Sequence, residues 1–272
     1  MDKLYNIILF AFISLNLSCQ DEKKVEINEE WLNKDVIFFN EIKNLLKNDP
    51  NKIERLIPRR KKGKPYELGD NFILESGSKG YGYISVFYDY VIKEDSLYSY
   101  RLLFSKDDYS FAVKNTDLNI DKMFPIRDDR GYAFFYNIEN TIKPFNKDTL
   151  DFELTNEFEF LLTPFSGIYY GCRGGFGNPI LENRNIFNIV SRQSNITKKQ
   201  LLMMMNSINP ATMLTGIEYY KRNIDLFKDE EIELRIDQIY NEVPFVPILY
   251  SDQMSFIESK KSVEHIIEND CI

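Results

Sequence analysis

The order of patterns along the chain predicts an α+β fold with an amino-terminal helix, a central antiparallel sheet meander and a carboxyl-terminal helical segment. Three observations carry this. Over residues 29 to 47, Trp31, Leu32, Val36, Phe39, Ile42, Leu45 and Leu46 recur at three- and four-residue spacing, the period of an amphipathic helix. Between residues 66 and 162 the chain turns to short segments rich in Tyr, Phe, Val and Ile joined by polar links, the pattern of neighbouring antiparallel strands. From residue 197 onward the dominant signals are helix caps. Strands in one block and helices in another are the mark of an α+β fold.

Each element follows in turn. Pro50 closes the first helix, and a short helical turn is expected up to Ile57. Arg59-Arg60-Lys61-Lys62-Gly63-Lys64, between Pro58 and Pro65, reads as a solvated basic loop. Tyr81 to Ile92 is apolar on both faces, as a central strand is. Lys93-Glu94-Asp95-Ser96 reads as a hairpin turn, and Leu97 to Phe104 as the next strand, with Tyr98, Tyr100, Leu102 and Phe104 on one face. Phe111 with Val113, Tyr132 to Ile138, and Asp151 to Leu162 are expected to add strands, so the β-rich part covers 66–170. The helix-rich part covers 197–270. Thr197-Lys198-Lys199-Gln200 matches a capping box ahead of Leu201 to Met205. Asn209-Pro210 offers a cap and a first-turn proline for a helix to about Lys221. Asp229 to Tyr240 and Ser259 to Glu268 are two further helices. Residues 29–272 are expected to form a single globular domain.

Composition narrows the function classes. Apolar residues are 43% and charged residues 28% of the chain, ordinary for a globular protein, so a real core is expected. Net charge is -8, and Asp2 and Lys3 cancel, so removing residues 1 to 18 leaves it unchanged. A polyanion binder carries net or clustered positive charge, which makes nucleic acid an unsuitable partner.

The amino terminus carries the clearest signal. Lys3 precedes an apolar run, Leu4 to Leu17, that is shorter than the about 20 residues a spanning helix needs and fits the core of a signal peptide. Leu15-Asn16-Leu17-Ser18-Cys19 follows, and the chain then turns abruptly polar at Gln20-Asp21-Glu22-Lys23-Lys24. These residues resemble the signal peptide and lipobox of bacterial lipoproteins, in a relaxed form like that of the Bacteroidota, with Asn16 standing where an aliphatic residue is usual. The resemblance covers residues 1 to 22 only. It implies that residues 1–18 are cleaved and that Cys19 is the lipid attachment site, with diacylglycerol on its sulfur and an acyl group such as palmitate on its amine. Residues 19–28 would then be a lipidated tether. Two or three acyl chains anchor stably, whereas one binds marginally. Asp21 and Glu22 resemble the acidic tag of surface-exported lipoproteins, and Gln20 is not the Asp that retains many at the inner membrane. The implied location is the cell envelope, anchored in the outer membrane.

With Cys19 lipidated, Cys172 and Cys271 remain as a pair. The envelope is oxidising, so a disulfide between them is expected, with two free thiols as the alternative. Closing a loop of about 100 residues contributes up to ~4.7 kcal/mol in the chain-entropy treatment.

No catalytic residue can be named from the sequence. Gly171-Cys172-Arg173-Gly174-Gly175-Phe176-Gly177 is the most distinctive stretch. Arg173, Gly174, Gly175 and Gly177 make it a candidate ligand loop, because glycine-rich turns can aim N–H groups at an anion. The Gly-Lys-Ser/Thr ending of a phosphate loop is absent, and the plainer reading is a tight turn with positive φ that places a disulfide cysteine. Asp151, Glu153, Glu157 and Glu159 share one face of an expected strand, with next-but-one neighbours about 7 Å apart. That spacing suits a glycosidase acid pair and equally a solvated strand face. Asp117, Asn119, Asp121 and Asp128 have calcium-loop spacing, but Lys122 stands where the loop wants Gly, and an ordinary acidic loop is expected. His265 is the only histidine, placed on a surface helix with no nucleophile elbow to accompany it. Ser76-Gly77-Ser78-Lys79 matches Ser-x-x-Lys in a glycine-rich loop rather than at a helix start. One His, with the Cys already accounted for, leaves no zinc set. No metal and no cofactor is expected.

The function expected on these grounds is that of a membrane-anchored envelope lipoprotein that binds an envelope protein or a saccharide without catalysis. The alternative is a hydrolase of envelope or extracellular polymers that works through paired carboxylates.

Overall fold

The computed structural model describes residues 27–59, 65–124, 126–127, 133–145, 152, 154–193, 195–250 and 253–269. The side chain of Asn28 accepts from the N–H groups of Glu30 and Trp31 and starts helix α1, Glu29–Asn48. A short turn follows, Pro50–Lys52, and then α2, Ile53–Leu56. Both elements were legible as expected.

The sheet holds six described strands: β1 Tyr66–Gly69, β2 Phe72–Gly80, β3 Ser85–Lys93, β4 Ser96–Phe104, β5 Ile126–Arg127 and β6 Ala133–Asn137. They pair in the order β1-β2-β3-β4-β6-β5, each antiparallel to its neighbour. Asp70-Asn71 and Glu94-Asp95 turn two of the hairpins with positive φ at both central residues, as two-residue turns between twisted strands require. The turn at Glu94-Asp95 is where the sequence places it.

The sheet is covered on both faces. On one, Phe38, Phe39 and Ile42 of α1 pack against Val86, Tyr88, Tyr90, Tyr100, Leu102 and Phe104, all buried. Each such side chain contributes about 1.5–3 kcal/mol on burial. On the other face, Leu68 and Val91 meet Phe165 and Ile168, which lead into the carboxyl-terminal helices. The strand face expected for Tyr98 is corrected here. Val91 pairs with Ser99 and Ile92 with Leu97, so Tyr98 is an extra residue that bulges out of the ladder. Its ring packs on Phe72 on the second face, away from Tyr100.

Two expected strands are helices, and the strands of the main sheet therefore end at Asn137 rather than near 170. Phe111 and Val113 lie in α3, Lys106–Asn115. Ser105 accepts from the N–H of Asp108, and Asp107 and Asp108 occupy the first turn, so capping outweighs the aromatic and β-branched content. After α4, Ile120–Met123, and α5, Glu139–Ile142, the acidic stretch forms α6, Asn156–Leu161. Thr155 caps α6 by accepting from the N–H of Phe158, and Phe158 and Leu161, three apart, are its buried side chains.

The carboxyl-terminal part comprises α7 Glu182–Gln193, α8 Lys198–Met205, α9 Pro210–Arg222, α10 Ile224–Phe227, α11 Glu230–Glu242, a ribbon of β7 Phe245–Tyr250 with β8 Gln253–Glu258, and α12 Ser259–Asn269. The capping box at Thr197 forms with both of its hydrogen bonds. Asn209 caps α9 through Ala211, and its buried amide donates to the Thr163 carbonyl, Ser166 Oγ and the Gly167 carbonyl. Asp229 caps α11. Leu201, Met204, Leu214, Ile217, Ile236 and Val263 close this core.

Candidate functional site

Two depressions lie where the sheet meets the carboxyl-terminal part. The smaller is a cleft of about 400 Å³ with Ser76, Asp89 and Arg101 on its floor. These residues face one another across β2, β3 and β4, since Ser76 pairs with Asp89 and Asp89 with Arg101 in the ladder. Asp89 Oδ1 accepts from Ser76 Oγ at 2.5 Å, and Oδ2 accepts from Arg101 Nε at 2.8 Å and Nη2 at 2.6 Å. Arg101 Nη1 donates to the Phe165 carbonyl at 3.0 Å, and its guanidinium lies over the Phe165 ring. The ion pair is mostly buried and the three groups satisfy one another, so the floor is polar but electrically balanced. Tyr66, Tyr169 and Glu182 stand at its rim. Burial holds the Tyr66 phenol above its ordinary value, which keeps it a neutral hydroxyl.

The larger depression is a groove of about 890 Å³. Glu67, Asp70, Glu94, Asp95 and Glu242 give it an acidic lining beside Phe245 and Phe256. Phe245 and Phe256 belong to the ribbon. Phe245, Tyr250, Met254 and Phe256 are 60%, 77%, 45% and 57% exposed. Among the described residues β8 pairs with β7 alone, and Gln253 to Ile257 carry no charge. The strand's one charge is at its last residue, Glu258, so over Gln253 to Ile257 the edge lacks the charged guards against strand addition. The opposite edge of β7 is engaged, because the Tyr170 N–H donates to the Pro247 carbonyl at 2.9 Å.

The glycine loop sits behind the ribbon. Gly171, Gly175 and Gly177 have positive φ, as does Asn178. The Gly174 N–H donates to the Pro179 carbonyl and the Asn178 N–H to the Gly175 carbonyl, so these donors are spent within the loop. Arg173 is exposed and turns to the Asn178 carbonyl. A Cβ on Gly174 would lie 2.4 Å from the Leu249 carbonyl oxygen of β7, so glycine there permits the loop to touch the ribbon. The tight-turn reading accounts for this geometry without an anion. Cys172 sits in the loop, half-buried. Cys19 and Cys271 lie outside the described residues.

The remaining sequence candidates are dispersed. Asp151 and Glu153 lie outside the described residues, and Glu157 and Glu159 are in the first turn of α6, where residues two apart do not face each other. Glu157 and Glu159 therefore form no strand-face acid pair. Ser76 to Lys79 lie in strand β2 rather than a loop, with Lys79 over the Tyr81 ring. Asn119 caps α4 and Tyr109 donates to Asp121, while Asp128 lies outside the described residues. No group of three or more His, Cys, Asp or Glu among the described residues is placed to hold a metal. His265 is exposed on α12, beside Asn269. Arg59 pairs with Glu54 and donates to the Asp95 carbonyl, whereas residues 60–64 lie outside the described residues. Among the described residues no helix is long and apolar enough to cross a membrane.

Sequence reasoning missed Asp89 and Arg101. The signal was present, since each is the one charged residue within an otherwise apolar strand run, Val86 to Ile92 and Leu97 to Phe104. No protein-family model, curated protein or solved structure matches this chain.

Proposed function

We propose that this chain is a lipid-anchored protein of the bacterial cell envelope that binds another envelope protein and catalyses no reaction. The anchor is supported by the signal-peptide pattern and the lipobox at Cys19, and the expected Cys172–Cys271 bridge belongs to the same reading. The observation that carries the binding role is the β7–β8 ribbon, whose edge strand bears exposed Met254 and Phe256 and no charge before Glu258, beside an acidic groove. Such an edge suits a partner that adds an extended segment to β8 through main-chain hydrogen bonds. The acids of the groove and the net charge of -8 favour a segment that is cationic as well as apolar. A photoreactive residue at Phe256, introduced in the native envelope, should cross-link one reproducible protein, and the same group at Val113 on α3 should not. Equal labelling from both positions, or none from position 256, would falsify the ribbon as the binding face.

The cleft supports a second reading, in which the partner is a saccharide. Its balanced Asp89–Arg101–Ser76 floor and its Tyr66 and Tyr169 rim suit a neutral, hydroxyl-rich ligand. A carboxylate-dependent hydrolase acting in this cleft would have Asp89 and Glu182 as its acids. Asp89 already accepts three hydrogen bonds, which favours binding over proton transfer. Saccharide binding that survives Arg101→Met would exclude the cleft.

A further inference from the structure

Where the described chain begins, aromatic rings gather on the outside of the protein. Trp31, the only tryptophan, stands in the first turn of α1 and is 50% exposed. Tyr81, in the turn between β2 and β3, is 51% exposed. The Trp31 ring lies 5.9 Å from that of Tyr83, and Tyr83 stacks on Phe111 at 5.0 Å. This edge is built, not incidental. The buried Asp35 carboxylate accepts from the N–H groups of Tyr83 and Ile84 at 2.7 and 3.1 Å, which fixes the turn against α1. The Tyr83 hydroxyl accepts from the Asn28 N–H at 2.9 Å, which fixes the turn to the chain entering the helix. A Cβ on Gly82 would lie 2.5 Å from the Trp31 carbonyl oxygen, so glycine is what lets the two segments close together.

We propose that this edge rests in the interface of the bilayer to which Cys19 is anchored, with Trp31 and Tyr81 at headgroup depth. The inference rests on the lipoprotein reading. Nine residue steps lead from Cys19 to Asn28 and reach at most about 32 Å. The edge at Asn28 is therefore the part of the fold held nearest to the lipid. Trp and Tyr combine an apolar body with a polar tip, the chemistry of membrane-interface belts. The bilayer it fits is zwitterionic. Glu30 beside Trp31 is paired with Lys34 and Lys79 lies over the Tyr81 ring, so the edge has no basic excess to draw it to an anionic surface, and the -8 of the whole chain disfavours one. Tethering raises the local concentration of the surface, so two rings suffice where free association would fail.

The test uses acylated protein extracted from membranes, with lipid on Cys19 verified by intact mass. It is reconstituted into dioleoylphosphatidylcholine vesicles with and without bromine-substituted acyl chains. With excitation at the red edge of the indole band, where the 17 tyrosines absorb little, emission reports Trp31, the one tryptophan. The expected result is a blue shift and a loss of emission with brominated lipid, both insensitive to salt and both reduced in Tyr81→Glu. Emission that ignores the brominated chains in verified acylated protein overturns the docking and leaves the lipoprotein reading standing. A protein without lipid on Cys19 overturns both. Emission that moves with soluble dextran but not with brominated lipid assigns the edge to saccharides and overturns the docking as well.

Discussion

Glu218 is the carboxylate on which the carboxyl-terminal part is centred, and its removal has a calculable consequence. Its Oε1 accepts from Arg184 Nη1 at 3.1 Å and Arg222 Nε at 3.2 Å. Its Oε2 accepts from Arg184 Nη2 at 2.5 Å and the Tyr170 hydroxyl at 3.1 Å. Glu218 and Arg184 are each only 5% exposed. Burial, and after it the Glu218 carboxylate, holds the Tyr170 phenol well above its ordinary value, so Tyr170 remains a donor. Glu218→Ala leaves Arg184 charged and buried, with the Gly171 carbonyl as its remaining hydrogen-bond acceptor among these contacts. Stranding one charge of a buried pair costs about 3–5 kcal/mol. For a chain of this length each kcal/mol moves Tm by roughly 2–4 °C, so the fall is about 6–20 °C.

The assay is urea unfolding followed by far-ultraviolet circular dichroism, run beside a companion double variant, Glu218→Leu with Arg184→Met. Replacing both charges by apolar groups of similar volume is close to neutral or better, so the double variant should recover most of the loss. Arg222 is 29% exposed and also donates to the Ile266 carbonyl, so water and that carbonyl can hold it in the double variant. A cost below about 1 kcal/mol for Glu218→Ala, the range of surface ion pairs, would refute the reasoning.

Burial raises Asp35 above its ordinary carboxyl value of 3.8, against the lowering by the Tyr83 and Ile84 N–H groups. The native state then binds more protons than the unfolded state, so the wild type should lose stability relative to Asp35→Asn as pH rises from near 3.8. Urea midpoints measured across pH would show a gap that widens upward, and a pH-independent gap contradicts this. Gly174→Ala drives a Cβ to 2.4 Å from the Leu249 carbonyl oxygen, where backbone must move. It should cost about 1–3 kcal/mol and speed amide exchange in β7, and unchanged exchange there would disconnect the loop from the ribbon.

What the sequence disclosed, and what it hid, have separate physical origins. α1, α8, α9 and α11 were legible because local chemistry decides them, namely a cap, an apolar period and a stop. The Glu94-Asp95 hairpin was legible for the same reason. Residues 106–115 and 156–161 misled because aromatic and alternating residues imitate strands, while single capping oxygens on Ser105 and Thr155 set the outcome. α7 was invisible because Asn183 and Arg184 are on its buried side, where the apolar period should show. The ribbon was hidden by Pro247, which reads against a strand yet sits there with its carbonyl engaged by Tyr170. Asp89 and Arg101 stood out in their strand runs, but that they meet each other and Ser76 depends on three strands in register, and register is a tertiary property.

The ribbon also separates what the fold needs from what it does not. A lone two-stranded ribbon is marginal in water, so this one must be held from its inner side. Val246 is fully buried in the helical core. Tyr170 donates to the Pro247 carbonyl, and Ser259 Oγ and N–H reach the Val243 and Pro244 carbonyls. The loop that carries Tyr170 is in turn fixed by Arg184 at the Gly171 carbonyl, so the Glu218 cluster, the loop and β7 form one continuous support. On the outer side, Phe256 stacks on Tyr66 of β1 at 6.1 Å and Met254 accepts from the Tyr66 hydroxyl, whereas Tyr250 is 77% exposed. Side chains that stay in water bury little area, so folding gains little from them at about 25 cal/mol per Å². The exposed ring of Tyr250 and the outer side of Phe256 gain further burial only when another surface covers them.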